Sequence, residues 1–269
     1  MIVFGVVLYN TKIQDLTDLL DSFAVYLAQN DRKLVLLDNC STALGYAELL
    51  KNITNQDKYK SFVELIYSDK NLGFGGGHNY IFNYVIRNYS MNYYCICNPD
   101  VVFIDSSFNK LSDFIESNYS VAMVAPKILN TDLSLQFSNK KFPNIFNLLI
   151  RRFIPNFISK MIGLFEKIDI KYERRNDGYF NNNLGEFLSG CFLLIRSEVY
   201  KKINGFDERF FLYMEDVDLC KRVSQIGKIY FVSDAVVTHK WSRSSHKSFR
   251  SMMLHIKSAI KYFNKHGWL

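Results

Sequence analysis

Short apolar runs alternate with longer helical patterns along the first hundred residues. Apolar runs at residues 2–8, 34–37 and 63–67 are typical of buried strands, and a helical pattern fills residues 16–27. A fourth strand-like run covers residues 93–96. Strands that alternate with helices form a parallel sheet whose ligands bind at the carboxyl ends of the strands. The pattern therefore predicts an α/β fold with a mostly parallel central sheet.

The second half of the chain adds strands and ends in a helix. Further apolar runs that predict strands lie at residues 121–125, 192–195, 229–232 and 235–237. The segment after the second of these runs predicts a short helix that stops at Gly205, because glycine adopts the left-handed conformation found after helix ends. The tail, residues 247–269, has apolar residues on one side and basic residues around the rest, which predicts an amphipathic helix.

Polar side chains follow the ends of the predicted strands. Asn10 follows the first strand, and Asp38 and Asn39 follow the second, so we expect a binding site at this edge of the sheet. An Asn-Pro-Asp sequence after the fourth strand ends at Asp100. Such a sequence is most often a turn, but a carboxylate at this edge also suits a hard cation bound with phosphates. His239 follows the last strand, where a lone histidine is usually structural unless Asp100 lies nearby.

A glycine-rich stretch, Asn-Leu-Gly-Phe-Gly-Gly-Gly-His-Asn at residues 71–79, separates the third strand from a predicted helix. Glycines before a helix N-terminus let backbone amides approach a phosphate closely. His78 interrupts the glycine spacing of a dinucleotide site, and the Lys-Ser/Thr pair of a P-loop is missing. A flexible loop with structural glycines explains the stretch equally well.

An acidic cluster of Glu215, Asp216 and Asp218 follows an aromatic segment at the start of a helical pattern. Acidic side chains are common at helix N-termini, where they complement the dipole and accept from free backbone amides. Adjacent carboxylates against aromatic surface also repel and desolvate one another, which raises the pKa of at least one and suits a general base. Neither explanation is excluded by spacing alone.

Composition places the chain among folded proteins with an anionic partner. With 269 residues and 48% hydrophobic content it forms one large α/β domain or two modest ones. The net charge of +7 suggests a nucleic acid, a phosphate-bearing ligand or an acidic membrane surface. The 5 cysteines include no Cys-x-x-Cys pair, the N-terminus lacks a basic leader, and no apolar window is long enough to span a bilayer. We therefore expect reduced thiols and a cytoplasmic location.

One segment differs in composition from the rest of the chain. Residues 142–167 mix large apolar residues with Arg151, Arg152, Lys160 and Lys167, and Pro155 interrupts any single helix. The segment is too basic to span a bilayer. It suits either an interfacial element or basic lid, or a pair of core helices.

Several motifs, taken together and in order, resemble those of inverting family 2 glycosyltransferases, in particular their bacterial rhamnosyltransferase-like branch. They begin in the first strand and end near residue 246. In chain order they are VVLYN, DNCS, NLGFGGGHN, NPDVVF, SGCFLLIR, GFDERFFLYMEDVDLC and THKWSRSS.

The resemblance implies a GT-A fold, in which a Rossmann-like, mostly parallel central sheet is flanked by helices. It implies a single domain over residues 1–246, followed by the amphipathic helix at 247–269. Residues 1–104 would form the nucleotide-sugar half and residues 105–246 the acceptor half, with residues 142–167 as an insertion.

The resemblance also implies roles for individual residues. Those implied to contact the nucleotide sugar are Tyr9, Asn10, Asp38, Asn39, Asn71, Gly73, Gly76, Asn79 and Asp100. Asp100 and His239 would hold Mg²⁺ or Mn²⁺, and Asp216 would be the catalytic base with Glu215 beside it. The D-x-D signature common in this family is here Asn-Pro-Asp, with one of its two carboxylates missing, which lowers the expected metal affinity.

The implied function is inverting transfer of L-rhamnose from dTDP-L-rhamnose to a polyprenyl-diphosphate-linked saccharide, in the synthesis of bacterial O-antigen, capsule or cell wall. Such an enzyme would be cytoplasmic, peripherally bound to the inner leaflet, and without a nucleic-acid partner. The alternatives are a UDP-hexose donor, a non-catalytic nucleotide-sugar-binding protein at the membrane, and a nucleotide-dependent oxidoreductase. The residues Glu215, Asp216 and His239 disfavour the non-catalytic protein, and the glycine spacing disfavours the oxidoreductase.

Overall fold

A computed structural model describes residues 1–28, 31–145, 164–240 and 249–268. Most of the predicted insertion at 142–167 lies outside the described residues, as do the end of the last motif and the expected domain boundary near residue 246. Within the described part, a central nine-stranded sheet is covered by helices on both faces. The α/β fold with a mostly parallel sheet that the sequence predicts is confirmed.

The described strands are β1 Ile2–Leu8, β2 Arg32–Asp38, β3 Val63–Tyr67, β4 Tyr93–Cys97, β5 Val101–Phe103, β6 Val121–Leu129, β7 Asn139–Lys140, β8 Asn183–Leu184, β9 Phe187–Leu188, β10 Phe192–Arg196 and β11 Lys228–His239. Their order in the sheet is β3-β2-β1-β4-β10-β6-β11-β5, with β8 paired to β11 and a separate β7-β9 pair. The two short runs expected at 229–232 and 235–237 form the single strand β11, which carries an irregularity between Val232 and Val236.

The described helices are α1 Ile13–Tyr26, α2 Tyr46–Thr54, α3 Gly73–Asn88, α4 Phe108–Ser117, α5 Leu164–Tyr172, α6 Ser197–Lys202, α7 Glu215–Ser224 and α8 Phe249–His266. None of them is both long and apolar enough to cross a membrane. The amphipathic tail helix is confirmed as α8, which buries Tyr262 and Phe263 against the domain.

Strand direction decides which residues meet at the edge of the sheet. β1 to β4 are mutually parallel, whereas β10 is antiparallel to both of its neighbours, β4 and β6. The residues just before β10 therefore lie at the edge where the parallel strands end. β5 runs antiparallel to β11, so that Val101 pairs with His239 at the same edge.

The sheet is apolar on both faces because helices cover both, as is usual where strands are mainly parallel. One core layer is built around Phe4, which packs edge-on against Phe23 with 5.0 Å between ring centroids. The other layer contains Tyr94, whose hydroxyl fills the space over Gly5; a Cβ at Gly5 would lie 2.1 Å from it. Fully burying one such large side chain stabilises the fold by about 1.5–3 kcal/mol.

The glycine-rich stretch has a different secondary structure from the one expected. We expected a loop over residues 71–79, but α3 already begins at Gly73 and its first turns contain the glycines. The reason is close packing: a Cβ at Gly77 would lie 2.8 Å from the Val7 side chain of β1, and a Cβ at Gly75 would lie 2.8 Å from Phe206. The glycines therefore let this helix approach the sheet and the segment before α7.

Candidate functional site

Asp100 and His239 meet at the carboxyl edge of the sheet. Pairing of β5 with β11 brings their backbones together, and the Lys240 amide donates to the Asp100 carbonyl oxygen at 3.1 Å. The Asp100 Oδ1 atom lies 3.2 Å from His239 Nε2, and Asn98 Nδ2 lies 3.3 Å from the same nitrogen. The condition under which His239 becomes a functional candidate, proximity to Asp100, is met.

These side chains fit a divalent cation that a ligand helps to hold. A carboxylate oxygen suits Mg²⁺ or Mn²⁺, and an imidazole nitrogen adds a donor that the softer Mn²⁺ accepts more readily. Within the described residues, no group of three His, Cys, Asp or Glu side chains converges on one point. Two protein ligands leave most coordination positions to phosphate oxygens and water, as is common for cations bound together with nucleotides.

Asp38 lies in a partly enclosed position at the end of β2. Its side chain is almost fully buried, and Oδ1 accepts a hydrogen bond from the Ser41 amide at 3.0 Å. Two exposed tyrosines, Tyr9 and Tyr67, stand at the ends of the neighbouring strands β1 and β3. A carboxylate acceptor between two aromatic side chains suits a flat ring that carries an N–H group. The sequence analysis did not name Tyr67 as a candidate binding residue, although its position as an aromatic residue at the end of a predicted strand could have indicated it.

Asn10 organises the loop beside Asp38. Its backbone is left-handed, with φ of 49°, and its Oδ1 accepts from the amides of Thr42 and Ala43 at 2.9 and 3.0 Å. The side-chain nitrogen of Asn10, Nδ2, donates to the Thr42 hydroxyl at 3.1 Å. The side chain therefore shapes the pocket next to Asp38, and its expected contact with a nucleobase stays a prediction.

Asn39 holds the start of α3 to the end of β2. Its side chain is buried, donates to the Gly73 carbonyl and Asn71 Oδ1, and accepts from the Leu72 amide at 2.9 Å. Asn71 Oδ1 in turn accepts from the Gly73 amide at 2.9 Å. These bonds give Asn39 and Asn71 a structural role that the sequence did not indicate.

Asn79 has a similar role farther along α3. Its nitrogen donates to the Phe206 carbonyl and to Glu208, and its oxygen accepts from the Phe206 amide and the Tyr200 hydroxyl, all within 3.0 Å. Every hydrogen-bonding position of this amide is thus used inside the protein. Gly76 faces Leu72 and Glu208 in the same region. The predicted donor contacts of Asn79 and Gly76 are untested, and the packing explains both residues without a ligand.

Asp216 is tied to the residues just before β10. Its Oδ2 accepts from the Gly190 amide at 3.0 Å, and its Oδ1 accepts from the Val217 amide at 2.9 Å. The Asn98 amide donates to the Cys191 carbonyl at 2.9 Å, so the same short segment also holds the turn that leads to Asp100. A helix-cap role for Asp216 explains the bond to Val217 but not the bond to Gly190.

Hydrogen bonds to Gly190 and Cys191 place Asp216 and the turn before Asp100 in one neighbourhood. Burial raises the pKa of Cys191 to about 12, and the negative charges of Asp100 and Asp216 both add to the increase. Two residues that are more than a hundred positions apart in the chain therefore act on the same side chain. Asp100, His239 and Asp216 lie on one edge of the sheet.

Glu215 and Asp216 have different surroundings. Burial raises the pKa of Glu215 well above its usual value, with a further increase from the Asp216 charge, and Oε2 of Glu215 has no hydrogen-bond partner among the described residues. Burial also raises the pKa of Asp216, but the amides of Gly190 and Val217 and the charge of Lys140 oppose the change. The geometry favours a protonated Glu215 beside an Asp216 whose ionised form is stabilised by two N–H donors.

The third acidic residue of the cluster points elsewhere. Asp218 is fully buried and accepts from Arg222 Nε at 2.7 Å, Lys265 Nζ at 2.6 Å and His266 Nε2 at 2.8 Å. Burial alone would raise the pKa of Asp218, but these partners outweigh it and lower the pKa. Asp218 therefore anchors the end of α8 to α7, a contact that the sequence analysis missed.

A family model described as Glycosyl transferase family 2 matches residues 4–203. The chain is 27% identical over 197 residues to Rhamnosyltransferase WbbL of Escherichia coli (strain K12), a match that covers 71% of this chain and 69% of the relative. It is also 27% identical over 181 residues to the N-acetylglucosaminyl-diphospho-decaprenol L-rhamnosyltransferase of Mycobacterium tuberculosis (strain ATCC 25618 / H37Rv), covering 64% of this chain and 56% of the relative.

Solved structures with a similar fold include GalNAc-T7 with UDP, GalNAc and Mn²⁺, at a TM-score of 0.70 and 12% identity. They also include the mannosyltransferase PcManGT from Pyrobaculum calidifontis with GDP-Man and Mn²⁺, at a TM-score of 0.61 and 14% identity. Each match covers 98% of this chain, but only 47% and 64% of those chains. S. aureus TarS 1-349 in complex with UDP-GlcNAc matches at 0.58 and 17%. At these identities the likeness concerns the fold, and the predicted GT-A fold is confirmed.

Proposed function

The chain belongs to glycosyl transferase family 2, and from that premise we propose that it transfers L-rhamnose from dTDP-L-rhamnose to a saccharide on a polyprenyl diphosphate, with inversion at the anomeric carbon. The observation that carries the proposal is the placement of the Asp100–His239 pair and of Asp216 at one edge of the sheet, where Gly190 and Cys191 bond to both neighbourhoods. The names of the curated relatives, both rhamnosyltransferases, support the sugar, and the decaprenol in one of them supports a lipid-linked acceptor.

The nucleobase would bind between Tyr9 and Tyr67, with its edge against Asp38. An ionised carboxylate only accepts hydrogen bonds, so it selects a base with an N–H group at this edge. Thymine and uracil offer N3–H, whereas cytosine does not. The same pocket therefore accommodates dTDP and UDP, and a UDP-hexose donor is the second candidate function.

The diphosphate would lie over the turn that carries Asp100. Mg²⁺ or Mn²⁺ held by Asp100 and His239 would neutralise the charge that develops on the leaving diphosphate. Asn98, which replaces the first carboxylate of the usual signature, contacts His239 in the protein alone. With a single carboxylate at the site, we expect the cation to bind well only together with the nucleotide.

Asp216 would accept the proton of the attacking acceptor hydroxyl. The residue is partly exposed and its carboxylate is held by two backbone amides, so its orientation is fixed before the acceptor binds. Attack on the face opposite the leaving diphosphate gives inversion. Glu215 stays protonated beside it, so the pair carries one negative charge.

The acceptor side would face the inner leaflet of the cell membrane. α8 exposes Met253 and Ile260 with Lys257 between them, and Trp268 is exposed just after the helix. This combination of apolar and basic side chains suits an anionic surface. Each Lys or Arg near such a surface contributes about 1 kcal/mol of binding. An enzyme placed there would act in the cytoplasm on surface polysaccharide precursors and would have no nucleic-acid partner.

A panel of nucleotide sugars tests the donor. The protein is incubated with a polyprenyl-diphosphate-linked saccharide and one of four donors, dTDP-L-rhamnose, UDP-glucose, UDP-galactose or UDP-N-acetylglucosamine. Nucleoside diphosphate release and thermal shift are recorded with Mn²⁺, with Mg²⁺ and with EDTA. We expect release from dTDP-L-rhamnose that stops in EDTA and in Asp100→Ala. Faster release from a UDP-hexose would replace the donor, and binding without release from any donor by the parent protein would favour a non-catalytic binding protein.

Liposome sedimentation tests the membrane contact. The protein should bind anionic vesicles in preference to neutral ones, and Lys257→Glu should weaken that preference while leaving the melting temperature unchanged, because Lys257 is exposed. Equal binding of the parent to anionic and neutral vesicles would refute the proposed docking.

A further inference from the structure

Gln136, in the segment between β6 and β7, holds both the ring and the backbone of His239. Its Nε2 donates to the His239 carbonyl oxygen at 2.7 Å and to Asn130 Oδ1 at 2.8 Å. A carbonyl oxygen can only accept, so the orientation of the Gln136 amide is fixed. The other end of the amide, Oε1, lies 3.1 Å from His239 Nδ1.

This orientation favours one position for the hydrogen on a neutral His239 ring. Gln136 Oε1 can only accept, so its contact needs an N–H group at Nδ1, and Asn98 Nδ2, 3.3 Å from Nε2, can donate to the lone pair that this tautomer leaves there. The lone pair then lies 3.2 Å from Asp100 Oδ1, which is itself an acceptor. Two acceptors at this distance favour a cation between them.

Without Gln136 the opposite tautomer would be preferred. An Nε2–H group could donate directly to the Asp100 carboxylate, and this charge-assisted bond would be stronger than a bond from Nδ1 to a neutral group. Such a ring has no lone pair to offer on the side of Asp100. In the parent protein the contacts of Gln136 and Asn98 together oppose this single bond, and removal of Gln136 leaves Asn98 alone against it.

We propose that Gln136 is a positioning residue that selects the tautomer of His239 in which Nε2 is a ligand for the divalent cation. The inference rests on the proposed cation role of Asp100 and His239. It extends that role to an uncharged residue that is not itself one of the proposed ligands. Partners that orient a ligating histidine in this way typically change metal affinity by about 10–100-fold when they are removed.

Three variants separate the tautomer effect from general stability. Gln136→Met keeps the length of the side chain but removes the acceptor for Nδ1–H. Gln136→Glu keeps an acceptor for Nδ1–H while losing the bond to the His239 carbonyl. Asn130→Ala is the matched control, because it removes the other partner of Gln136 Nε2 and leaves the ring contact in place.

The first measurement uses the metal-free protein labelled with ¹⁵N-histidine, at a pH where the imidazole is neutral. Long-range ¹H–¹⁵N spectra identify the protonated ring nitrogen, and the His239 signals are assigned by their loss in His239→Ala. We expect Nδ1–H in the parent, in Gln136→Glu and in Asn130→Ala, and Nε2–H in Gln136→Met. An unchanged Nδ1–H tautomer in Gln136→Met would overturn the inference.

The second measurement is Mn²⁺ binding in the presence of dTDP, followed by electron paramagnetic resonance. Gln136→Met should bind Mn²⁺ about 10–100-fold more weakly than the parent, and Gln136→Glu and Asn130→Ala should stay close to it. If His239→Ala binds Mn²⁺ weakly but Gln136→Met binds it with parental affinity, the role of Gln136 is overturned and the cation site is not. Parental affinity in His239→Ala overturns the cation site itself, and the two failures are therefore distinguishable.

Discussion

Exchange of Asp216 for Asn removes the proposed proton acceptor and also lowers the stability of the fold. The cost in stability follows from the hydrogen bonds of the carboxylate. The Asp216 carboxylate accepts from two amides, Gly190 at 3.0 Å and Val217 at 2.9 Å. An Asn side chain has one oxygen, so one of these amides would face an NH₂ group. Leaving one partly buried donor unsatisfied costs about 1–3 kcal/mol, so Asp216→Asn should fold with a lowered melting temperature.

The effect on turnover should be larger than the effect on stability. Loss of a general base typically lowers kcat by on the order of 10²–10⁴, which corresponds to about 2.7–5.5 kcal/mol in the activation barrier. Donor affinity should change little, because Asp216 lies on the acceptor side of the site. A role limited to helix capping predicts the reverse pattern, with a lowered melting temperature and near-normal kcat in the folded protein.

Glu215→Gln is the matched control. Glutamine has the shape and charge of the protonated carboxyl that burial favours at this position, so kcat should fall less than in Asp216→Asn. The raised pKa of Glu215 means that its contribution to stability is complete below the unfolded value of 4.5 and is lost as the pH rises toward the folded value. Glutamine does not titrate, so the variant should become more stable relative to the parent as the pH rises above 4.5.

The assay measures kcat at saturating donor and the melting temperature of all three proteins over a series of pH values. Parental kcat in Asp216→Asn would refute the assignment of the base. A larger loss of kcat in Glu215→Gln than in Asp216→Asn would exchange the two roles. A stability difference between Glu215→Gln and the parent that does not vary with pH would show that Glu215 is not held protonated.

Three further predictions concern the pocket, the anchor of α8 and the packing of α3. Asp38→Ala should weaken dTDP and UDP binding by about 10-fold or more, because a hydrogen bond to a charged group contributes about 1.5–3 kcal/mol. CDP binding should not change, because cytosine has no N3–H, and calorimetry with the three nucleotides measures the difference. Asp218→Asn should lower the free energy of unfolding in urea by about 3–5 kcal/mol, and a cost below that of Lys265→Met would contradict the buried anchor. Because the pKa of Asp218 is lowered in the folded protein, its contribution to parental stability is complete above 3.8 and is lost as the pH falls below 3.8 toward the folded value. Gly77→Ala should cost about 1–3 kcal/mol in the same assay, and Val7→Ala should restore part of it, because the added Cβ meets the Val7 methyl groups.

The sequence predicted most of the sheet because its strands are short apolar runs with polar residues at their ends. β1 to β4 were expected within a residue or two, since helices cover both faces of each strand and leave its pattern unbroken. The position of β10 was not predictable. An apolar run such as residues 192–195 has the same pattern whether its neighbours are parallel or antiparallel, and the order of strands depends on contacts far apart in the chain.

The candidate site was predicted in part. Asp100, His239 and Asp216 were expected from their positions at strand and helix ends, and the structure brings them to one edge. The internal hydrogen bonds of Asn39 and Asn79 were not foreseen, because an asparagine near a strand end has the same sequence pattern whether it binds a ligand or a backbone. The bond of Gln136 to His239 and the bonds of Asp218 to Lys265 and His266 left no local signal, since these partners lie more than forty residues away.

The antiparallel strand at the centre of the sheet has a consequence for synthesis. β4 and β6 both pair with β10, so among the described residues it is 192–196 that join the two halves of the sheet. Until the ribosome has released these residues, the nascent chain carries β4 with one unpaired and strongly apolar edge, a form that favours association with other chains. The first hundred residues therefore cannot complete their own sheet, and the late strand that closes it also brings Gly190 to Asp216. Closure of the sheet and assembly of the site are one folding event.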